Sequence, residues 1–398
     1  FPEKIIISGG VNAKSRHNLF LAAGIDLVCA SESERTIVDI VTILSNGSRD
    51  FSEVSNLYYL KDSKIVFTGN RYTKKNNKVV NNIIWNLDQL PMPAWHLLPN
   101  ERYWEIGRPH GGFFKDKSSL RYASMMTSRG CPFRCSYCHI SGEVHDSASG
   151  SIGTYRIKSD ERVIEELEAL KSLGVKQVFI EDDSLLAIKP RAKRLLRKIK
   201  DFGLDILDVN GVNILHLLRH DKGYKGEVDY EMLECLKEAG FSEITLPFES
   251  ANPRIIKKYA SNKWDISTSN IDSLLKALND FGFRCPGNFM IGYPDETREE
   301  INNTLDYAFT LRDKGMSGAA FFLVMPLPGT TLFDEAVSKG YLPEDFTPDR
   351  MHWQKANMIN TEVPPQELEQ IRDDAWAKAN KSDYVKYKQS MKRESNEN

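Results

Sequence analysis

Much of what would classify this chain quickly is absent. No apolar run approaches the roughly 18 residues needed to span a membrane, and nothing at the N-terminus reads as a secretory signal. The net charge is only −2, so no broad basic surface awaits nucleic acid. Cysteine is scarce, with six in 398 residues, and Cys29, Cys235 and Cys285 lie in strand-like or helical contexts that suit buried core thiols. Together these absences lead to the expectation of a reducing, cytoplasmic protein with no membrane span and no broad nucleic-acid-binding surface. What remains is ordinary globular composition, 41% hydrophobic and 27% charged, with length for roughly two or three domains.

The other three cysteines stand together. Ser128–His139 reads SRGCPFRCSYCH and places Cys131, Cys135 and Cys138 within eight residues. Three thiols so close cannot all pair as disulfides, and they suit a soft metal centre, either zinc or an iron–sulfur cluster. Zinc needs a fourth ligand, for which His139 is the nearest candidate. Adjacent residues such as Cys138 and His139 rarely reach two corners of one tetrahedron without strain. A 4Fe–4S cluster on three cysteines is chemically coherent, because one iron stays open for an exchangeable ligand.

Taken in order, Lys4–Ser8 and Ile25–Ala30 read as strands. Ser33–Leu44 follows as a helix with acids near its start, where they suit the helix dipole. This is part of a doubly wound sheet, and some 45 residues cannot cover both faces of one. Since the first residue is Phe, an upstream portion is expected, with an exposed sheet edge in its place. Residues 46–118 read as a linker with short strands at Lys64–Thr68 and Val79–Ile84, prolines at Leu87–Pro99 and an ordinary loop at His110. From Tyr122 a strand–helix rhythm begins. Strands are expected at Ala123–Thr127, Gln177–Ile180, Ile206–Val212, Glu243–Phe248, Gly287–Ile291 and Ala319–Val324. Helices long enough to cross between parallel strands lie between them. The expected domains are 1–45, 46–118, a partial (βα)6 barrel over 119–338, and a helical segment over 339–398 with a frayed tail.

Active sites of parallel barrels lie at the C-terminal strand ends. There the sequence places the three cysteines, then Glu181-Asp182-Asp183, then the Asn210–Asn213 loop. Glu249-Ser250 follows the fourth strand, Gly292-Tyr293-Pro294 the fifth and Pro326–Thr330 the sixth. The plainer role for Asp182 and Asp183 is to cap the following helix.

The Cys-x-x-x-Cys-x-x-Cys loop, with aromatic Tyr137 before its last cysteine, resembles that of radical S-adenosylmethionine (SAM) enzymes. Motifs in the order ISGGVNA, IDLVCASESERTIVDI, LPMPAW, cluster loop, GNFMIGYPDET and PLPGT resemble the cobalamin-binding class of that superfamily. The resemblance implies a TIM-like partial barrel preceded by a partial Rossmann-like cobalamin module. It implies a 4Fe–4S cluster on Cys131, Cys135 and Cys138, which reduces SAM to methionine and a 5′-deoxyadenosyl radical. Asp182 and Asp183 would receive the SAM ammonium, although Glu181 and Asp182 replace the family's two glycines. Glu249, with Ser250, would contact the ribose and Tyr137 the adenine. Gly9, Gly10 and Ser31–Glu34 would approach cobalamin, although Val11-Asn12 stands where relatives show Pro-His and the Asp-x-His-x-x-Gly motif would lie upstream. Cobalamin is therefore assigned to the parent protein.

The implied activity is methyl transfer to an unactivated carbon of a small-molecule substrate, with an electron donor such as flavodoxin or ferredoxin. The alternatives are a radical oxidoreductase, cyclase or rearrangement enzyme, and a zinc-stabilised RNA-binding protein.

Overall fold

The computed structural model describes residues 4–69, 73–75, 78–80, 83–106, 121–144, 150–219, 221, 226–348 and 351–380. His110 and the C-terminal tail lie outside the described residues. No described helix is long and apolar enough to cross a membrane.

The N-terminal sheet begins with parallel β1 (Ile7–Ser8) and β2 (Leu27–Cys29). It continues antiparallel through β3 (Leu57–Lys61) and β4 (Lys64–Phe67), so the strand expected at Lys64–Thr68 belongs to this sheet and not to a linker. Asp62 and Ser63, both with positive φ, make the two-residue turn that joins this hairpin. One face packs Leu27, Cys29 and Leu57 against Ile40 of α3 (Glu34–Ser45). Val28, pointing the other way, meets Ala13 of α1 (Gly10–Ser15) and Leu21 of α2 (His17–Ala22). The sequence assigns no residues of this stretch to a helix, and Ser33–Leu44 is the one helix it places in the region. Helices α1 and α2 have six residues each, too few to be stable without the sheet beneath them.

Among the described residues the barrel is an open arc of seven parallel strand segments at six positions, in a four-stranded and a three-stranded sheet. β5 (Tyr122–Met125), β6 (Gln177–Ile180) and β7 (Asp205–Asp208) pair in sequence, and β7 pairs with β8 (Phe241–Glu243). β9 (Leu246–Glu249), β10 (Pro286–Ile291) and β11 (Gly318–Leu323) form the other half. The expected fourth strand is thus split at Ile244-Thr245. Pro247 has no N–H to give, and the Thr245 carbonyl is drawn back to Val212 N at 2.9 Å. The halves stay joined because Ile244 N donates to Arg284 O at 2.9 Å and Arg284 N donates to Ser242 O at 3.0 Å.

Helices α4 (Asp160–Ser172), α5 (Lys189–Ile199), α6 (Tyr230–Glu238), α7 (Pro253–Tyr259), α8 (Ile271–Asp280) and α9 (Arg298–Asp313) wrap the outside. Strand alternation decides what they cover. Phe248, Phe289 and Phe321 face the helices, stacked at 5.2 and 5.5 Å between ring centres. Their neighbours Asn288, Met290 and Phe322 face the barrel interior.

The last strand would leave an open edge. Helix α11 (Pro365–Ala379), which follows α10 (Thr331–Ser338), lies along it. Arg372 Nε donates to Phe321 O at 3.0 Å and Asn380 Nδ2 to Ala319 O at 2.7 Å. At the mouth, Leu323 N donates to Trp353 O at 2.9 Å.

Candidate functional site

The cysteine loop hangs from a small antiparallel ribbon, Ser128–Arg129 against Arg156–Ile157. Gly130 follows with φ +79°, and a Cβ there would lie 2.4 Å from Thr154 O, so only glycine fits. Cys131 N reaches Gly153 O at 3.3 Å, Ser136 N reaches Tyr259 O at 2.8 Å, and Leu332 N reaches Ser136 O at 2.9 Å. The loop is therefore clamped by segments from three different strand ends. All three cysteines are free thiols. Burial pushes Cys131 up to about 11 and Cys138 up to about 12, so metal binding there would release protons. Among the described residues no three His, Cys, Asp or Glu side chains converge as ligands of one metal ion would. Cysteines that each hold a different iron of a cluster need no such convergence.

Asp182 is fully buried, and its carboxylate accepts from Thr127 N, Thr127 Oγ1 and Ser128 Oγ, all at 2.6 Å. These bonds fix the exit of β5 immediately before the cysteine loop. Asp183 accepts from Gly130 N at 3.0 Å. Neither acid caps the next helix, whose N-cap is Ile188. Burial raises both acids, against the hydrogen bonds from Ser128 and Thr127 to Asp182 and from Gly130 to Asp183. Asp208, a buried acid that the sequence reading passed over, is pushed up to about 7 by burial and by the charge of Asp182.

Beside the loop a cavity of about 250 Å³ opens at the C-terminal strand ends, lined by Tyr137, Asn210, Glu249, Asn288, Met290 and Trp353 among others. Tyr137, from the loop after the first strand, and Glu249, from the end of the fourth, both line its wall. The Tyr137 hydroxyl is buried there with no nitrogen or oxygen partner. Glu249 holds a left-handed φ of +63° where the register of β9 against β10 shifts. A non-glycine residue in that region stores strain, and such strain collects at functional sites. Its carboxylate pairs with the buried Lys263 ammonium. Burial pushes Lys263 down, but Glu249 and Cys135 more than offset this and hold the ammonium above an ordinary lysine. Sequence reasoning missed Lys263, whose only signal is its position after the helix that follows Glu249. Ser250 is not among the cavity-lining residues; its hydroxyl lies 3.1 Å from Thr304 Oγ1 on α9.

Gly9 and Gly10 lie at the end of β1, and Ser31–Glu34 at the end of adjacent β2, the edge where open parallel sheets take ligands. A Cβ on Gly9 would lie 3.6 Å from Ser33 Oγ, whereas a Cβ on Gly10 would meet open space. This edge faces the barrel: Lys14 Nζ lies 3.5 Å from Glu143, and Ser15 Oγ donates to Pro328 O at 3.4 Å.

The radical SAM superfamily model matches residues 125–308. An uncharacterized methyltransferase of Pyrococcus horikoshii is 30% identical over 91% of this chain and 67% of its own length. The cytidylyl-2-hydroxyethylphosphonate methyltransferase of Streptomyces wedmorensis is 27% identical over 69% of this chain and 48% of its own. Among solved structures, the radical SAM methyltransferase TsrM of Kitasatospora setae, with cobalamin and a [4Fe–4S] cluster bound, superposes with a TM-score of 0.60. It is 17% identical, covering 85% of this chain and 58% of TsrM. The chain thus spans about half to two thirds of the length of these proteins.

Proposed function

Because the chain belongs to the radical SAM superfamily, we propose that Cys131, Cys135 and Cys138 hold a 4Fe–4S cluster that binds SAM, within a cobalamin-dependent methyltransferase. The observation that carries this reading is the clamped three-thiol loop beside a cavity walled by Tyr137 and Glu249. When bound, the cluster supplies the electron that cleaves the sulfonium and cobalamin carries the methyl group.

The chain's own residues bind and orient. Glu249 takes ribose hydroxyls from the cavity wall, held in place by its ion pair with the buried Lys263 ammonium. Asp183 receives the SAM ammonium, while Asp182 keeps its bonds to Thr127 and Ser128 and holds the loop in place. The Tyr137 ring flanks the adenine. Gly9, Gly10 and Ser31–Glu34 offer cobalamin one side of its site, with the mouth of the barrel opposite. The substrate is a small molecule entering past Trp353, and the electron comes from a donor such as flavodoxin or ferredoxin.

Anaerobic reconstitution should give about four irons and four sulfides per chain. Replacing all three cysteines with Ala should abolish them, and full iron content in that variant would remove the cluster from the reading. Formation of S-adenosylhomocysteine together with 5′-deoxyadenosine, in the full-length protein, tests methyl transfer against cyclisation or oxidation.

A further inference from the structure

Arg129 and Arg156 stand directly opposite each other on the ribbon that carries the cysteine loop. Like charges paired across two strands repel, so the arrangement needs a compensating anion. It comes from the other module. Glu32 takes Arg156 through two bonds, at 2.9 and 2.5 Å, and lies 3.3 Å from Arg129. Glu34 accepts from Arg129 at 2.7 Å. Arg156 is almost wholly buried, and all five of its N–H donors are engaged, the others by Thr154 O, Ile84 O and Ile152 O. A bidentate, buried guanidinium holds its partner in one geometry. The backbone of Arg129 leads through Gly130 straight into Cys131.

We infer that Glu32 and Glu34 are positioning residues for the iron–sulfur cluster, acting through Arg129 and Arg156 on the loop that holds it. They fix where Cys131 stands, and they set the local charge behind the cluster by neutralising two cations. The Ser31–Glu34 loop of the N-terminal module and the cysteine loop of the barrel are therefore one mechanical and electrostatic unit. This inference rests on the cluster reading.

The test uses the full chain, reconstituted anaerobically, and reads the cluster's midpoint potential by redox titration followed by electron paramagnetic resonance. Glu32→Gln with Glu34→Gln leaves two cations uncompensated, which favours the reduced and more negative cluster, so the potential should move to more positive values. Arg129→Gln leaves the acids in excess and should move it the other way. Shifts of opposite sign support the inference, because simple loosening of the fold would move both variants alike. Should Glu32→Gln fail to fold, Glu34→Gln alone, which removes a single contact with Arg129, provides the positive arm. Unchanged potentials, or shifts of one sign in loaded variants, would overturn it. Wild-type protein that takes up no iron would instead overturn the cluster reading.

Discussion

The Lys263 ammonium and the Glu249 carboxylate form a buried ion pair, fourteen residues apart in sequence, at the end of the fourth strand. The pair forms because Ser261 and Asn262, both left-handed, turn the chain back after α7, and because Trp264 Nε1 anchors the return to Phe248 O at 2.6 Å. Removing one member leaves a buried charge alone. Lys263→Met should therefore destabilise the protein by about 3–5 kcal/mol in denaturant titrations. A loss below about 1 kcal/mol would mean that water already solvates Glu249.

Glu249 is also expected to act on the ligand. In the Lys263→Met background, where the ion pair no longer contributes, adding Glu249→Ala should weaken SAM binding by about 1.5–3 kcal/mol, as for a charged hydrogen bond. Calorimetric titration of the two variants gives the difference. Equal affinities would take Glu249 out of the ribose site.

Asp182 should matter to the cluster without touching SAM. Asp182→Ala strips the anion from Thr127 and Ser128 and should cost about 1.5–3 kcal/mol. Iron content after desalting should fall, whereas SAM affinity of the molecules that retain a cluster should stay near wild type. Full iron retention would show that the loop holds its shape without this carboxylate.

Asp208 gives the protein a pH signature. Its folded value, about 7, lies above the ordinary 3.8, so the neutral acid is favoured by folding. That stability is complete below about pH 4 and is lost as pH rises through about 7. The groups it faces include Asp182, Glu181 and the N–H groups of Asn210 and Gly211. Asp208→Asn should therefore gain stability over wild type at pH 8.5 relative to pH 5.5, by a few kcal/mol at most. Parallel thermal melting curves at the two pH values check this; a gap independent of pH would mean that Asp208 ionises freely.

Short-range patterns were legible in the sequence and long-range juxtapositions were not. The cysteine loop stands out because its ligands are a few residues apart. The barrel rhythm is legible because α4 and α9 are long and amphipathic, and because Ser159 and Thr297 cap them with bonds of 3.1 and 3.2 Å. Helices α1 and α2 were hidden, since their stability comes from Val28 and not from their own six residues. Arg156 looks like a surface residue until Glu32, 124 positions away, is brought against it. Asp182 carries no local mark distinguishing it from Asp183, although one grips Thr127 and the other Gly130.

The sixth strand finishes its sheet on side chains, with Arg372 and Asn380 claiming the carbonyls of Phe321 and Ala319. A seventh strand would have satisfied the same groups while presenting a fresh row of donors and acceptors to the next molecule. A guanidinium and an amide satisfy them and present none. The C-terminal helix therefore acts as a stopper against self-association, and a chain cut before Pro364 would carry an adhesive strand at the open side of its barrel.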